Sequence, residues 1–371
     1  MRTVRAAVVG TGFMGAVHSR SIIAAGGDLV AVVGSSPEKG RAGAEQFGAA
    51  LGAGSVDEAF EAGIDVLHVC TPNVLHTGFV RAALAAGCHV VCEKPLATDP
   101  AEAAHLTALA ADSGLVATVP FVYRYYASVR EARARIQAPG ATPPWLLHGS
   151  YLQDWLADPG ATNWRVDAAA GGPSRAFADI GVHWCDLAEF VTGQRIVRVN
   201  AQFGRSAPTR PGPDGTPVPV TTEDGAVVTF TTDTGALGSI VISQASAGRK
   251  NALSFSFDGP DASYGFHQET PETLWIGGRD ANRTVARDPG RPGSPPAPRG
   301  ALPAGHPQGY HECFTDFVAD TYTALRGGAV DGLPRFTDGL RAARITEAVL
   351  ASVASGNWTD IPTDDDEEQT T

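Results

Sequence analysis

The feature that most limits the fold of this chain is a glycine-rich turn near its start. Residues 4–9 are an apolar run that predicts a buried strand, and they lead into Gly10-Thr11-Gly12-Phe13-Met14-Gly15, a helical segment and a second apolar run at residues 29–33. In this context G-x-G-x-x-G is typical of dinucleotide binding, because its glycines allow a tight turn, a close pyrophosphate and close helix packing. We therefore expect Gly10, Gly12, Phe13, Met14 and Gly15 to bind a dinucleotide.

The end of the second strand bears on which dinucleotide is bound. An acid at this position would bind the ribose 2′-hydroxyl of NAD and repel the extra phosphate of NADP. Here Ser35 and Ser36 follow the strand, and no acid is present. Both hydroxyls can donate to a 2′-phosphate, and Lys39 or Arg41 can neutralise it, unless these cations are solvated residues of the next helix. The pattern favours NADP over NAD and leaves the use of both open.

Strands and helices continue to alternate up to about residue 121. Apolar runs at residues 66–70, 89–92 and 116–120 predict strands, and residues 77–86 and 100–113 predict helices. Asp99 is a suitable N-cap for the second of these helices, with Pro100 in its first position. This alternation of strands and helices predicts an α/β domain over residues 1–122, with a doubly wound parallel sheet of the Rossmann type.

Two of these strands end in polar loops. Thr71-Pro72-Asn73-Val74-Leu75-His76 follows one, and Glu93-Lys94-Pro95 follows another. Ligands of open parallel sheets bind beyond the carboxyl ends of the strands, so both loops are candidates for the cofactor site. Pro95 restricts Lys94 to an extended backbone and can take a cis bond. We expect cofactor contacts from Thr71, Pro72, Asn73, His76, Glu93 and Lys94. The alternatives are a helix cap for His76 and an incidental surface pair for Glu93 and Lys94.

A third polar motif lies on a predicted helix. Gly171-Gly172 predicts a turn, and the helix that follows runs to about residue 192. Asp179, His183 and Asp186 are spaced i, i+4 and i+7, so they share one helical face. Burying three such groups in an apolar core would be costly, so the face belongs either to a site or to solvent.

Together these motifs resemble the Gfo/Idh/MocA family, which is named for glucose-fructose oxidoreductase, inositol dehydrogenase and rhizopine catabolism. The resemblance lies in the glycine turn, T-P-N-x-x-H, E-K-P and D-x-G-x-H-x-x-D, and it spans nearly the whole chain. It implies that Lys94 touches a substrate hydroxyl and that a second domain carries the other catalytic groups. The implied activity is an NAD(P)-dependent dehydrogenase or ketoreductase acting on a ring hydroxyl of a sugar, glycoside or cyclitol.

The chemistry assigns a role to each catalytic candidate. Hydride transfer from a secondary alcohol requires a base for the hydroxyl proton, and His183 is expected to be that base. The Lys94 ammonium would stabilise the developing alkoxide and lower the pKa of His183. Asp179 would bind the substrate or orient His183, whereas Asp186, a further turn along, is expected to be structural.

Substrate binding is expected from aromatic and polar residues of the second domain. Rings cover the C–H faces of a pyranose, and amide and guanidinium groups bind its hydroxyls. Ordinary core packing is the alternative for the aromatic residues. Besides Asp179 and His183, the predicted substrate contacts are Tyr123, Arg124, Gln153, Trp164, Arg165 and His306. No metal site is expected, because His306 and His311 lack a ligand spacing with any cysteine.

The rest of the second domain, residues 123–360, is predicted to be α+β with one open antiparallel sheet. The predicted strands are residues 145–153, 197–203, 226–232, 238–245, 253–257 and 272–277, and the predicted helices are 312–325 and 338–355. Residues 205–219 and 288–305 predict long excursions. The helix with Asp179 would cover one face of the sheet, and another subunit of a homodimer or homotetramer, as is common in the resembled family, would cover the other.

Composition narrows the remaining function classes. A net charge of −12 in 371 residues argues against nucleic-acid and anionic-membrane partners. Five cysteines without a C-x-x-C pair and no apolar run of membrane-spanning length indicate a cytoplasmic protein with reduced thiols. Residues 361–371 predict a disordered acidic tail. Two other functions stay open: a glycosidase that uses bound NAD for transient oxidation, and a non-catalytic sugar or cofactor sensor.

Overall fold

The computed structural model describes residues 2–212, 214–291 and 302–362. The acidic run at residues 364–368 and parts of the two predicted excursions lie outside these ranges. The chain forms two compact units. The first unit comprises Met1–Tyr125 and Gly309–Ala343, and the second comprises Tyr126–Gln308 and Arg344–Thr371. The first unit thus combines the N-terminal segment with a segment from much later in the chain.

The first unit contains a six-stranded parallel sheet, which confirms the predicted doubly wound fold. Its strands are β1 (Arg5–Val9), β2 (Asp28–Val33), β3 (Leu51–Ala53), β4 (Val66–Val69), β5 (His89–Cys92) and β6 (Ala117–Thr118). Their order is β3-β2-β1-β4-β5-β6, so the chain winds outward in both directions from β1 and β4. The connecting helices are α1 (Phe13–Ala24), α2 (Pro37–Phe47), α3 (Val56–Glu61), α4 (His76–Ala85) and α5 (Pro100–Ser113). Asp99 caps α5, as predicted, by accepting hydrogen bonds from the amides of Ala101 and Glu102.

The second unit contains a nine-stranded sheet within the described residues. Its helices, in chain order, are α6 (Ala127–Ile136), α7 (Ala168–Gly171) and α8 (Val182–Thr192). Its strands are β7 (Leu146–Leu152), β8 (Ile196–Gly204), β11 (Gly225–Thr232), β12 (Leu237–Ser243), β13 (Ala252–Asp258), β14 (Ala262–His267), β15 (Thr273–Gly278), β16 (Arg283–Ala286) and β17 (Thr359–Asp360). A separate pair, β9 (Thr209–Pro211) and β10 (Pro217–Pro219), lies within the first predicted excursion. The order is β16-β15-β14-β13-β7-β12-β11-β8-β17, and β7 and β12 pair in parallel while the other neighbours are antiparallel. The six predicted strands are present, and β14, β16 and β17 extend the sheet beyond the prediction.

One face of the larger sheet is packed by α8. The Trp184 ring lies against Phe230 and Phe257, at centroid distances of 5.8 and 6.0 Å, and its indole N–H donates to the Ser254 carbonyl. On the opposite face, the apolar side chains of Val227, Leu237, Val241 and Trp275 are between 41% and 53% exposed. The sheet therefore has one face in the core and one face that is open in this chain.

Two long helices complete the chain. Helix α9 (Tyr310–Leu325) belongs to the first unit, and α10 (Phe336–Ser355) begins in the first unit and ends in the second. The Arg335 backbone makes an isolated bridge to Thr118 just before α10 begins. Within the described ranges, no helix has both the length and the apolar character needed to cross a bilayer.

Candidate functional site

The glycine turn of the first unit has the stereochemistry that the sequence predicts. Gly10 has a φ of 113°, and a Cβ there would lie 2.4 Å from the Cys70 carbonyl oxygen. A Cβ on Gly15 would lie 2.1 Å from the Gly10 carbonyl oxygen, whereas a Cβ on Gly12 would have no atom within 4 Å. Gly10 and Gly15 thus allow close packing, and Gly12 leaves open space next to the backbone.

The start of α1 fits an anionic ligand. Gly12 is its N-cap and provides no side-chain hydrogen bond, and no acidic residue lies in its first turn. The first amides of the helix therefore have no side-chain competitor for a phosphate group. Phe13 is 75% exposed and Met14 is partly exposed beside this end. These residues fit a dinucleotide pyrophosphate.

The segment after β2 shows how Ser35, Ser36 and the nearby cations are used. The Ser36 hydroxyl caps α2 by accepting from the Lys39 amide at 3.3 Å. Arg41 pairs with Glu38, at 3.2 Å between Nη2 and Oε1. The Ser35 and Lys39 side chains are exposed. Of the predicted phosphate contacts, Ser35, Lys39 and Arg41 thus have exposed side chains, and Arg41 is paired with Glu38.

His76 contacts both polar loops of the first unit. Its ring is fully buried, with Nδ1 2.8 Å from the Pro95 carbonyl oxygen and Nε2 3.0 Å from the Thr71 carbonyl oxygen. Burial lowers the pKa of His76, and a neutral imidazole donates to only one of the two carbonyls at a time. The Thr71 hydroxyl oxygen is buried and has no hydrogen-bond partner within the described residues. It is therefore available to a ligand at this loop.

The E-K-P motif combines a buried carboxylate with a partly exposed lysine. The Lys94–Pro95 peptide bond is cis. The side chain of Glu93 is 8% exposed, and its Oε2 accepts from the Lys94 amide at 3.3 Å. The other oxygen, Oε1, lies 2.9 Å from Nε2 of His18. Glu93 is thus held from within the unit, and Lys94 follows it at the end of β5.

The partners of Glu93 include residues that the sequence analysis does not identify. His18 on α1 contacts His68 on β4, with 2.9 Å between the two Nδ1 atoms. Nε2 of His68 lies 3.3 Å from the hydroxyl of Tyr322 on α9. All three side chains are buried, and burial, with a smaller contribution from His18, holds the pKa of His68 well below its usual value. The available sequence signal is a histidine within the apolar strand Val66–Val69.

The second unit places Asp179 and His183 at the start of one helix. Phe177–Gly181 form a π-helical turn that continues directly into α8. Asp179 accepts a hydrogen bond from Gln244 Nε2 at 2.7 Å, and its other oxygen lies 3.6 Å from Nε of Arg165. His183 is 8% exposed, and its ring centroid is 6.5 Å from that of Tyr151. No local sequence pattern points to Gln244, which is fully buried and fixes the Asp179 carboxylate.

Several predicted substrate residues lie close to Asp179. The Arg165 guanidinium stacks on Trp164, 4.4 Å from the ring centroid, so Trp164, Arg165 and Asp179 form one cluster. Gln153 accepts from the Trp155 indole N–H and donates to Asn251, both at 2.9 Å. The Gln153 side chain is therefore held within the unit. Its contact with substrate, like those of Trp164 and Arg165, stays a prediction.

Other predicted substrate residues have partners elsewhere in their own units. In the first unit, Arg124 is 7% exposed and donates to Asp338 Oδ1 at 2.7 Å, and the Tyr123 ring lies 6.1 Å from that of Tyr310. In the second unit, His306 is exposed and its carbonyl accepts from Arg287 at 2.6 Å. These contacts stabilise loops, and the roles predicted for the three residues toward substrate stay predictions.

A buried acidic pair supports the start of the Asp179 helix. Glu223 Oε1 accepts from the Ser174 hydroxyl and from the amides of Arg175 and Phe177, and so caps the helix. Asp224 accepts from Arg175, from Arg210 at 3.2 Å and from the Ser206 hydroxyl. Burial alone would raise the pKa of Asp224, but the hydrogen bonds from Arg175 and Ser206 lower it to about 2.

Replacing Asp224 with asparagine is expected to destabilise the protein by about 3 kcal/mol, because Arg175 and Arg210 then stay buried without a full counter-charge. The folded pKa lies below the unfolded one, so the Asp224 carboxylate contributes its stability above about pH 4 and loses it as the pH falls toward about 2. Urea unfolding at several pH values measures both effects. The exposed Asp280→Asn variant is the control, and an Asp224→Asn protein as stable as this control would contradict the expectation.

Metal-ligand clusters and disulfides are absent from the part of the chain that the structure describes. No group of three His, Cys, Asp or Glu side chains lies in position to hold an ion. The cysteines are all free thiols, and four of the five are buried.

Comparison with known proteins extends these observations. A family model described as an oxidoreductase family with an NAD-binding Rossmann fold matches residues 4–121. A model of the GFO/IDH/MocA C-terminal domain matches residues 129–264. Levoglucosan dehydrogenase from Pseudarthrobacter phenanthrenivorans is 29% identical to this chain, over 98% of this chain and 99% of that protein.

Two solved structures are similar along nearly the whole chain. An oxidoreductase domain protein from Kribbella flavida is 32% identical with a TM-score of 0.91, over 98% of this chain and 100% of that chain. Levoglucosan dehydrogenase in complex with NADH and levoglucosan is 29% identical with a TM-score of 0.90, and the match covers 98% of this chain and 100% of that chain. The family description names NAD and this complex contains NADH, so the predicted preference for NADP has no support here.

Proposed function

The chain belongs to the Gfo/Idh/MocA family of oxidoreductases, and we propose that it is an NAD-dependent dehydrogenase or ketoreductase of sugars, glycosides or cyclitols. The observation that carries this proposal is the arrangement around Asp179 and His183. The two side chains lie one helical turn apart, Asp179 in the π-helical turn and His183 at the start of α8, and Asp179 is held by Gln244 and lies near Arg165. Such a group of acid, base and cation suits the hydroxyls and the removable proton of a sugar.

The proposed mechanism gives each residue a distinct task. When bound, NAD supplies the hydride-accepting nicotinamide. His183 accepts the hydroxyl proton during oxidation and returns it during ketone reduction. Lys94, as an ammonium, stabilises negative charge on the reacting oxygen. Asp179 binds a substrate hydroxyl or orients His183. Arg165, stacked on Trp164, binds further hydroxyls, and Trp164 covers a C–H face of the ring.

For the cofactor, we propose NAD, held at its phosphates by the glycine turn and near its nicotinamide by the loop of Thr71. Family membership and the related NADH complex support this choice. The exposed Ser35 side chain is available to a ribose hydroxyl. It does not repel a 2′-phosphate as a carboxylate would, so some activity with NADP is consistent with this segment.

Replacing Ser35 with aspartate is expected to lower kcat/KM with NADP by roughly 10-fold or more, because a carboxylate beside the 2′-phosphate adds charge repulsion. The value of kcat/KM with NAD should change by less than about threefold, which corresponds to less than about 0.7 kcal/mol. Parallel kinetics with both cofactors measure the ratio. The exposed Glu61→Asp substitution on α3 provides a control, and an unchanged NAD/NADP ratio in Ser35→Asp would place the ribose elsewhere.

We also propose that the protein is a cytoplasmic homodimer or homotetramer that buries the open sheet face. Support comes from exposed apolar side chains on the open face: Val227 and Val241 are cross-strand neighbours on β11 and β12, Leu237 lies farther along β12, and Trp275 lies on the more distant strand β15. Exposed apolar side chains gathered on one face mark interaction surfaces in soluble proteins. A second copy would bury this face in the same way on both subunits.

The double substitution Val227→Lys and Val241→Lys is expected to convert the oligomer to a smaller species, because each lysine would be buried without a partner. These residues are direct cross-strand neighbours, so the charges would be concentrated in one place. Light scattering coupled to size-exclusion chromatography measures the molar mass. The control is Thr216→Lys, on an exposed turn outside the sheet. A wild-type protein of monomeric mass would refute the proposal.

The test of function is the absorbance of reduced nicotinamide. Purified protein is incubated with NAD or NADP and a panel of pyranoses, pyranosides, inositols and levoglucosan. We expect steady reduction of NAD with at least one member. Intact cofactor binding without reduction across the panel would contradict a dehydrogenase, and it would favour the redox-neutral glycosidase or the sensor. Release of an aglycone without net reduction separates the glycosidase from the sensor.

A further inference from the structure

We propose that His18, His68 and Tyr322 are positioning residues for the E-K-P motif, because they fix the imidazole hydrogen that His18 presents to Glu93. This inference deepens the proposed function, because it rests on the role given there to Lys94. The three side chains lie in the first unit, on α1, β4 and α9, and they form one buried chain of contacts that ends at Glu93. None of them belongs to the motifs from which the site is predicted.

The contact between the two histidines restricts their hydrogens. The Nδ1 atoms of His18 and His68 are 2.9 Å apart, a normal hydrogen-bond distance. One hydrogen fits between two nitrogens at this distance, so one ring must donate and the other must accept. The tautomer of either histidine therefore determines the tautomer of the other.

The Glu93 carboxylate determines which of the two rings donates. An ionised Glu93 is only an acceptor, so His18 must donate to it from Nε2, and a neutral His18 then accepts at Nδ1. His68 consequently donates from Nδ1 and accepts the Tyr322 hydroxyl hydrogen at Nε2. With both rings neutral, this arrangement gives every contact one donor and one acceptor.

Burial favours a neutral His68 ring. It holds the pKa of His68 well below its usual value, because an imidazolium that is fully removed from water is disfavoured, and the neighbouring His18 makes a smaller contribution in the same direction.

This series of side-chain contacts fixes the positions of hydrogens and does not carry protons to solvent. Tyr322 is fully buried, and burial raises the pKa of its phenol far above neutral. It therefore does not release its proton at neutral pH, and a proton relay through His68 would end at the tyrosine. These contacts provide Glu93 Oε1 with a fixed donor, the Nε2–H of His18. The other carboxylate oxygen, Oε2, accepts a hydrogen bond from the Lys94 amide at 3.3 Å. The orientation of Glu93, and with it the start of the Lys94 loop, depends on that donor.

A pair of His18 variants separates this role from simple packing. His18→Gln keeps an N–H donor at the reach of Nε2, whereas His18→Leu keeps bulk and removes the donor. We expect His18→Leu to lower kcat by roughly 10- to 100-fold, the range for partners that orient a functional ligand, and His18→Gln to stay within about threefold of wild type. The KM for substrate should change little in either variant, because binding energy from remote groups is retained.

Two further measurements show whether a loss of kcat comes from lost folding or from lost cofactor binding. NADH affinity and thermal unfolding identify variants that lose cofactor binding or folding, and the exposed His105→Leu variant on α5 is the control. Equal losses of kcat in His18→Leu and His18→Gln would overturn the proposal, as would an unchanged kcat in His18→Leu.

Nitrogen-15 NMR of the histidine rings tests the proposed tautomers in the wild-type protein and requires no catalytic turnover. We expect His18 as the Nε2–H tautomer and His68 as the Nδ1–H tautomer, with the His18 signals assigned by their loss in His18→Gln. The opposite tautomers, or a doubly protonated His18 at neutral pH, would refute the proposal even if His18→Leu does not fold. If the wild-type protein oxidises no sugar, the function proposed above fails, while the NMR result still decides whether His18 and His68 have the proposed tautomers.

Discussion

Replacing His183 with asparagine is expected to lower kcat by about 10²- to 10⁴-fold, the range that general acid–base groups contribute. Asparagine retains polar character and much of the size of the ring but cannot accept a proton near neutral pH. His183 is nearly buried at the start of α8, beside the fixed Asp179, so water does not easily replace it as a base. Steady-state kinetics with the best substrate of the panel measure the loss, and NADH binding should be retained.

Two other variants serve as comparisons for His183→Asn. His105→Asn, on an exposed face of α5, should leave kcat unchanged. In Gln244→Leu, Asp179 loses its 2.7 Å hydrogen bond and His183 remains, so we expect a loss smaller than that in His183→Asn. A His183→Asn enzyme with more than a tenth of wild-type kcat would remove His183 from the role of base.

Replacing Lys94 with methionine is expected to lower kcat by roughly 10²- to 10³-fold, as does removal of a single donor to a developing oxyanion. Methionine keeps an unbranched side chain of similar length without the ammonium. Its effect on kcat should exceed its effect on KM, because the charge on the oxygen is largest in the transition state. The same kinetic assay measures both parameters.

The chain offers a matched lysine as the control for this substitution. Lys250 forms an exposed ion pair with Asp154 at 2.6 Å, a type of contact that contributes about 0–1 kcal/mol to stability. Lys250→Met should therefore leave kcat and stability nearly unchanged. If Lys94→Met raises KM and leaves kcat intact, Lys94 contributes to ground-state binding and not to alkoxide stabilisation.

Much of the first unit can be predicted because its signals are local. The glycines of the turn, the Asp99 cap and the polar loops after β4 and β5 all involve neighbours in sequence. By contrast, His18 and Glu93 are 75 positions apart, and no local pattern connects them. Prediction from one sequence therefore identifies the ends of the strands and misses the buried side chains that support them.

The second unit shows a similar limit. Strand β17 has two residues, too few to show a period-two pattern, whereas Ala262, Tyr264 and Phe266 of β14 do alternate, in a short pattern that the prediction does not use. The π-helical turn at Phe177–Gly181 adds one residue to a helical repeat, a change too small to detect in a pattern of apolar positions. Asp179 and His183 still lie within one turn, which is why their spacing identifies the motif.

The Glu223–Asp224 pair contacts both the helix that carries the proposed base and an exposed excursion of the second unit. Glu223 caps the helix that carries the proposed base, and Asp224 holds the start of the preceding excursion, residues 205–219, by accepting from the amides of Ser206 and Ala207. Beyond these bonds, Asp214, Gly215 and Thr216 at the tip between β9 and β10 are exposed. Insertions and deletions at that tip can therefore accumulate during divergence without displacing His183. Proteins with this arrangement can therefore differ at the tip while Asp179 and His183 keep their positions.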